Sequence, residues 1–449
     1  MFISILIGGM LGCNQDDTPG GEPGTEPGED SMVKITIVNA ASNSTTRAAG
    51  TSTQPPTFEE SAVDNNVRLI VYRANGYKEH DETYTVTWVD NSGIKETTIS
   101  GFKLSPGKKI IYIFVNEPTT PLIDGTKTTD KEFERQIFPD AMTNNRPVIA
   151  TDGRFFIGTL WGEEITIEGG SGATNPETFD LSIGRLSSKI YLNSVVARAG
   201  GILLAGTFDN AKYTLGSVAK EYYLVGQYEA GEDAPPNANH GKVTSAVHGD
   251  GATSAKFVSY NYDNPNLWTE VKTNALPFYA LENTTAVNAN NEQFYGNTTH
   301  FQLEVVYHPD ATEIYELPTS ATGALTIDAD GQTTIGNNTG TFYYAKYDGI
   351  FYIFADDPTG NTYLSEFIEY EGGKNYYRSA IRDETETTDI ERKNTILRNH
   401  VYKLDVLSIN QLGANKPIDN KNEVIPENSE IKLQVSIYNW SIISQGVHF

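Results

Sequence analysis

The sequence predicts an all-β protein made of two tandem β-rich blocks, and three features predict it. Apolar residues recur at every second position over short runs, which is the period of half-buried strands. Gly, Pro, Asn and Asp punctuate those runs as turn formers. Nowhere does a strand pattern alternate steadily with a long helical one, which argues against a parallel α/β sheet. With 38% hydrophobic residues among 449, the chain has ample material for a core.

Residues 1–12 are apolar and uncharged, with small residues near their end, and Cys13 follows. This fits the hydrophobic region and cleavage site of a secretory signal, without the usual basic start. The run is too short for a transmembrane helix. Met10-Leu11-Gly12-Cys13 resembles the lipobox of bacterial lipoproteins, with Met10 where Leu is usual; a plain signal peptide with an incidental Cys is the alternative. Cys13 is the only Cys, so the exported body forms no disulfide and any durable link between copies is non-covalent. Residues 14–30 are rich in Gly, Pro, Asp, Glu and Thr and read as a disordered acidic tether. The chain carries 58 acidic and 33 basic residues, a formal charge of −25. That balance argues against nucleic acid and anionic membrane surfaces as partners.

Residues 31–47 are the stretch on which the layout turns. Val33, Ile35 and Ile37 fall on one face of a short strand, and Lys34 and Thr36 on the other. The pattern then stops in a small, polar segment that ends at Arg47, the only basic residue between Lys34 and Arg68. A lone Arg in such a segment is accessible to an Arg-directed protease. Cutting between Arg47 and Ala48 would detach the strand; alone, the stretch also fits an ordinary N-terminal strand and loop.

The first block, residues 48–186, alternates at Val67-Leu69-Val71 and at Tyr84-Val86-Trp88, and a strand pair or one bent strand covers residues 94–104. Ser105-Pro106-Gly107-Lys108 reads as a type II turn, with Pro at i+1 and Gly at i+2. Residues 110–115 read as a strand buried on both faces. Residues 130–137 are expected to be a helix capped by Asp130, with Phe133 and Ile137 on one face. Strands return at residues 155–160, 165–167 and 179–183, and the boundary is placed in residues 183–190.

The second block, residues 187–413, has expected strands at 222–228, 257–262, 301–307, 342–354 and 401–409, and a short helix at 362–370. Residues 229–255 and 282–299 are expected to be surface insertions. A polar linker, residues 414–430, opens the last unit, 414–449. Its closing strand places Ile431, Leu433, Val435 and Ile437 on one face, slips phase at Asn439-Trp440 as a bulge would, and recovers at Ile443, Val447 and Phe449.

No catalytic, cofactor or metal constellation emerges. The seven His are scattered without an HExxH, and His300 and His308 read as a surface pair flanking a strand. Gly169 to Gly172 lacks the Lys of a phosphate loop. Asp328-Ala329-Asp330-Gly331 opens like a calcium loop but lacks the later ligands, and reads as a turn. Residues 383–391 read as a solvated acidic loop.

Taken together, the layout resembles the type V fimbrillins, specifically the stalk subunit of the minor fimbria of anaerobic Gram-negative bacteria. The resembling residues are the lipobox ending in Cys13, Arg47 followed by Ala48-Ala49, and the Leu104-Ser105-Pro106-Gly107-Lys108 turn. Residues 183–190, Arg398-Asn399-His400-Val401-Tyr402-Lys403-Leu404 and the closing strand with Trp440 and Phe449 complete the set. The resemblance implies a lipoprotein delivered to the outer membrane and then to a cell-surface fimbrium. It implies two β-sandwich domains of transthyretin-like topology and no enzyme activity. It further implies cleavage after Arg47 by an Arg-specific protease and filling of the vacated groove by the closing strand of another copy. Partners would be other copies head to tail, tip and anchor subunits, and host or bacterial surface receptors, in adhesion and biofilm formation. A glycan- or host-binding surface lipoprotein, or a tip or anchor subunit, is the alternative.

One outcome follows from residues 31–48. N-terminal sequencing of subunits sheared from the surface should begin at Ala48, and Arg47→Ala should block assembly. Normal fibres built from Arg47→Ala subunits that keep residues 32–38 would contradict the cleavage.

Overall fold

The computed structural model describes residues 28–39, 63–91, 94–117, 154–196, 204–219, 221–225, 277–283, 290–329, 340–384, 393–418, 422–427 and 430–439, with a few shorter pieces between them. They form sandwiches of β-sheets with two short 3-10 turns, Ala311–Glu313 and Glu371–Gly373.

In the N-terminal block one sheet runs in the order Glu177–Ser182, Ser31–Asn39, Ile94–Leu104, Val89–Asn91. The facing sheet runs Gly184–Arg185, Ile157–Gly158, Gly107–Val115, Asn66–Arg73, Lys78–Thr85, and Glu163–Ile167 also pairs with Gly107–Val115. The core between them is almost wholly β-branched and aliphatic: Val33, Ile35, Ile37, Val67, Leu69, Val71, Ile111, Ile113 and Val115 are all fully buried. Gly107–Val115 is buried on both faces from Ile111 onward, as its continuous apolar run implies. The preceding turn has Gly107 at φ +101°, the positive angle that a type II turn demands at i+2. Residues 94–104 form one strand; Gly101, at φ +88°, is the extra residue where the register against Val33 and Lys34 shifts.

The C-terminal block repeats the plan. One sheet runs Phe278–Leu281, Ser187–Val195, His400–Ile409, Ile431–Asn439; the other runs Thr269–Glu270, Thr207–Gly216, His300–His308, Lys374–Ala380. A further four-stranded sheet, Ile314–Tyr315, Ile350–Phe354, Phe342–Tyr347, Phe367–Tyr370, is inserted between the last two strands of that second sheet.

The blocks are joined by a continuous buried cluster. Ile70, Tyr72, Tyr112, Phe114 and Phe156 from the first meet Leu186, Ala219, Leu224, Val225 and Leu281. Within it Arg398 is paired to Glu282 through Nε at 2.9 Å and Nη2 at 2.8 Å, and its Nη1 donates to the Leu224 carbonyl at 2.9 Å. Asn399, at φ +56°, accepts from the Arg185 N–H at 3.1 Å and donates its own N–H to the Ser187 carbonyl at 2.8 Å. A Cβ on Gly184 would lie 2.6 Å from the Asn399 side chain, so a larger residue there would have to displace that side chain and its bond to Arg185. Residues 183–190 and 398–404, far apart in the chain, thus form one junction.

Several expectations are corrected. Ile137 starts a strand, Ile137–Pro139, paired with Glu221–Tyr223 of the second block, so the helix does not include it; residues 130–136 lie outside the described residues. The helix at 362–370 is instead the strand Phe367–Tyr370, because its backbone pairs with Phe342–Tyr347 and tertiary pairing overrides a weak local preference. The strand through Tyr84 ends at Thr85; Trp88 still packs on the core, with its indole N–H donating to the Asp64 carbonyl at 2.7 Å. The expected strand at 155–160 shrinks to Ile157–Gly158; Glu221–Tyr223 and Phe257–Val258 are strands, and residues 226–228 and 259–262 of the expected strands lie outside the described residues.

Residues 282–299 are only partly the expected surface insertion: Asn290 and Asn291 are exposed, but Asn283, Asn297, Thr298 and Thr299 are buried in mutual and backbone hydrogen bonds. His300 is likewise buried, its Nδ1 3.0 Å from the Thr298 carbonyl, whereas His308 remains partly exposed beside Asp209. Asp383, expected in a solvated loop, is buried. At Asn283, Thr299 and His300 the buried side chains bond backbone carbonyls that a composition-based reading assigns to solvent.

Burial pushes the His300 imidazole down to about 3. The unfolded chain takes that proton near pH 6.5, so this contribution to stability is complete above 6.5 and is lost as pH falls toward 3. Denaturant unfolding at about pH 7 and about pH 4 should show a smaller acid loss for His300→Gln than for the parent. Equal losses would contradict it.

Candidate strand-exchange site

Ser31–Asn39 is a central strand. It pairs antiparallel with Ile94–Leu104 from Ser31 opposite Leu104 to Asn39 opposite Lys95, and parallel with Glu177–Ser182 from Val33 opposite Glu177 to Val38 opposite Ser182. Its burial alternates strictly, and Val33, Ile35 and Ile37 are each 0% exposed. Removing it would leave a slot with two unpaired backbone edges and three aliphatic pockets. The Gly-rich turn forms one mouth of that slot: the Met32 N–H donates to the Ser171 carbonyl at 2.8 Å, and the Ser171 N–H donates to Ser31 Oγ at 3.1 Å. Gly169 and Gly170 take positive φ there. Burial alone would raise the Glu177 carboxyl; hydrogen bonds from Ser31 and from the Glu168 and Gly169 N–H groups outweigh it and hold it below the usual range.

Ile431–Asn439 stands in a different position. It is an edge strand, paired on one side only, antiparallel to His400–Ile409 from Ile431 opposite Ile409 to Asn439 opposite His400. Ile431 and Ile437 are buried, and Leu433 and Val435 are partly buried against the core. The expected face is therefore present, seated on the strand's own domain.

The two strands match. Both are nine residues long, SMVKITIVN and IKLQVSIYN. Aligned end to end, Val33, Ile35 and Ile37 correspond to Leu433, Val435 and Ile437, Thr36 to Ser436, and Asn39 to Asn439. The sequence reading treated each strand alone and missed this correspondence, although the signal lies in the sequence. Cys13, Arg47, Ala48, Trp440, Val447 and Phe449 lie outside the described residues.

The linker before the closing strand is tied down more than its polarity implies. Ala414 and Tyr376 exchange backbone hydrogen bonds at 2.8 and 2.9 Å, Gln302 donates to the Ile418 carbonyl at 2.8 Å, and Arg378 Nη1 donates to the Asn420 carbonyl at 2.9 Å. Arg378 is also ion-paired with Glu423. No group of three or more potential metal ligands occurs among the described residues.

The described residues thus form β-sandwiches, one with Ser31–Asn39 as a central strand and the other with Ile431–Asn439 at a sheet edge. Residues 368–445, the segment that contains the closing strand, match the family model described as "Major fimbrial subunit protein type IV, Fimbrillin, C-terminal". No curated protein matches the chain. Among solved structures, the chain is similar to a putative cell adhesion protein from Bacteroides eggerthii, at 13% identity over 93% of this chain and 98% of that one, with a TM-score of 0.46. It is also similar to a fimbrilin, FimA, from Porphyromonas gingivalis, at 14% identity over 92% and 99%, with a TM-score of 0.45. The C-terminally truncated tip fimbrial protein Mfa3 of the same organism aligns at 15% identity over 91% and 100%, with a TM-score of 0.41.

Because Ile35 sits at the middle of the slot, Ile35→Ala should destabilise the uncleaved protein by about 2–5 kcal/mol in denaturant unfolding. A loss below about 1 kcal/mol would show that the strand does not hold the core.

Proposed function

We propose that this protein is the stalk subunit of a surface fimbrium that polymerises by strand exchange. It is exported as a lipoprotein through Cys13 and activated by Arg-specific cleavage between Arg47 and Ala48. Loss of residues 31–47 opens the slot between Ile94–Leu104 and Glu177–Ser182, and the closing strand of the next copy fills it. The observation that carries this reading is the end-to-end match of Ser31–Asn39 and Ile431–Asn439. The fibre so formed grows because the contact is head to tail and does not close on itself. It supports adhesion and biofilm formation, with tip and anchor subunits at its ends.

The energetics favour the exchange. In its own domain the closing strand has one backbone ladder; in the slot it has two. Each extra ladder bond contributes about 0.5–1.5 kcal/mol net. Leu433, Val435 and Ile437, worth about 1.5–3 kcal/mol each when buried, pass from one apolar seat to another. The gain therefore comes from the backbone, the pattern of β-augmentation.

The correspondence of Thr36 with Ser436 gives a register-specific test, since Thr36 lies opposite Thr98. In processed protein free of Cys13, Ser436→Cys combined with Thr98→Cys should yield a disulfide ladder of multimers on oxidation. Ser436 lies opposite Lys403 in its own domain. Assembled fibres in which Ser436→Cys links only to Lys403→Cys within one chain would overturn the exchange.

A further inference from the structure

Residues 410–430 leave their sheet after Ile409 and return to it at Ile431, the residue paired opposite. The Asn410 N–H donates to the Glu430 carbonyl at 3.4 Å, so the two ends of this excursion meet. Between its ends the segment lies along Lys374–Ala380, the edge strand of the second sheet, through bonds to Asn375, Tyr376 and Arg378. Side chains of the domain hold its carbonyls. Tyr377 Oη donates to the Gln411 carbonyl at 2.9 Å, and Tyr370 Oη to the Gly413 carbonyl at 2.8 Å. Gln302 and Arg378 hold the carbonyls of Ile418 and Asn420. Arg382 holds those of Pro426 and Glu427, the latter through Nη1 at 2.6 Å.

This fastening is uneven along its length. At its start it is internal: Tyr370 and Tyr377 are buried. At its end, just before the closing strand, it has two parts. Ile425 is buried against Tyr295 and Ala380, and its N–H donates to the Gln293 carbonyl at 2.8 Å. Arg382 grips the next two carbonyls from the rim, where water competes for the same bonds. Opening from this end frees Glu430 and Ile431 first. Opening from Gln411 must first expose two buried tyrosines.

The closing strand has need of such a fastening. It has a single backbone ladder, and a loose edge strand pairs with whatever edge it meets. Cleavage after Arg47 would control the slot that receives the strand but not the strand itself. We propose that residues 423–427, with Ile425 seated and Arg382 clamped over Pro426 and Glu427, are a latch whose opening frees Ile431–Asn439 and sets the rate at which a cleaved subunit donates it. The effect on assembly rests on the strand exchange proposed above. The coupling of latch to strand does not, and it is tested on the uncleaved protein.

The test is amide hydrogen exchange of the uncleaved full chain, with the parent compared to Arg382→Ala. Amides of residues 423–427 and of Ile431–Asn439 should both exchange about tenfold faster in the variant, because charge-assisted bonds are lost from one locally opening unit. Amides of His300–His308, an inner strand of the same domain, should be unchanged. No acceleration in Ile431–Asn439 would overturn the latch. Equal acceleration in His300–His308 would also overturn it, since Arg382 would then hold the domain as a whole. After cleavage, Arg382→Ala should shorten the half-time of polymerisation, again about tenfold. An unchanged half-time, in a variant whose strand amides open faster and whose disulfide ladder between Ser436→Cys and Thr98→Cys still forms, would overturn control by the latch and leave the exchange standing. Absence of that ladder in the parent background would overturn the exchange and with it the effect on assembly, while the uncleaved protein still decides the coupling.

Discussion

The constraint on which the N-terminal domain depends is that its first strand is an inner strand. Ser31–Asn39 holds Ile94–Leu104 and Glu177–Ser182 together, and neither of these pairs with the other. The strand closes two backbone ladders and seals a β-branched core with three side chains. A chain that loses it must replace it, because open ladder edges and an emptied core both carry large costs. The need is specific: a replacement must be extended, about nine residues long and apolar at alternate positions. Ile431–Asn439 meets each condition, and its edge position leaves one of its own ladders unmade.

The proposed exchange would also draw on the joint between the two sandwiches. Two sandwiches linked by a mobile hinge would transmit strand exchange poorly along a fibre. Here the joint is a packed cluster with a buried Arg398–Glu282 pair, a left-handed Asn399 and a glycine that only just clears it. Both partners of the ion pair are buried and Arg398 also donates to the Leu224 carbonyl, so separating them would leave a charge unpaired, which is costly. The linker contacts of Arg378, Gln302 and Tyr376 seat the closing strand on its own domain before any exchange, so release of the strand includes release of those contacts.

Much of this was legible in the sequence where a strand buries one face and shows the other to solvent. The period-2 runs around Val33, Val67 and Ile431 each became strands with the expected face inward. Turn chemistry was equally legible at Pro106-Gly107, where Gly107 adopts the required positive φ. What failed was polarity as a guide to exposure. Asn297, Thr298, Thr299, His300 and Asp383 look like loop surface, yet they are buried, and Thr299 and His300 bond backbone carbonyls there. The strand at Phe367–Tyr370 was read as helix because four residues carry too little periodicity and the deciding partner, Phe342–Tyr347, is remote in sequence.

The most direct measurement of strand exchange is backbone hydrogen exchange, compared among the uncleaved protein, a cleaved monomer that lacks residues 431–449, and assembled fibres. Exchange predicts that amides of Ile94–Leu104 and Glu177–Ser182 are protected in the uncleaved protein, lose protection in the truncated cleaved monomer and regain it in the fibre. Amides of the closing strand should be at least as protected in the fibre as in the uncleaved protein, since they gain a second ladder. Fibres in which Ile94–Leu104 and Glu177–Ser182 stay as exposed as in the truncated monomer would contradict it.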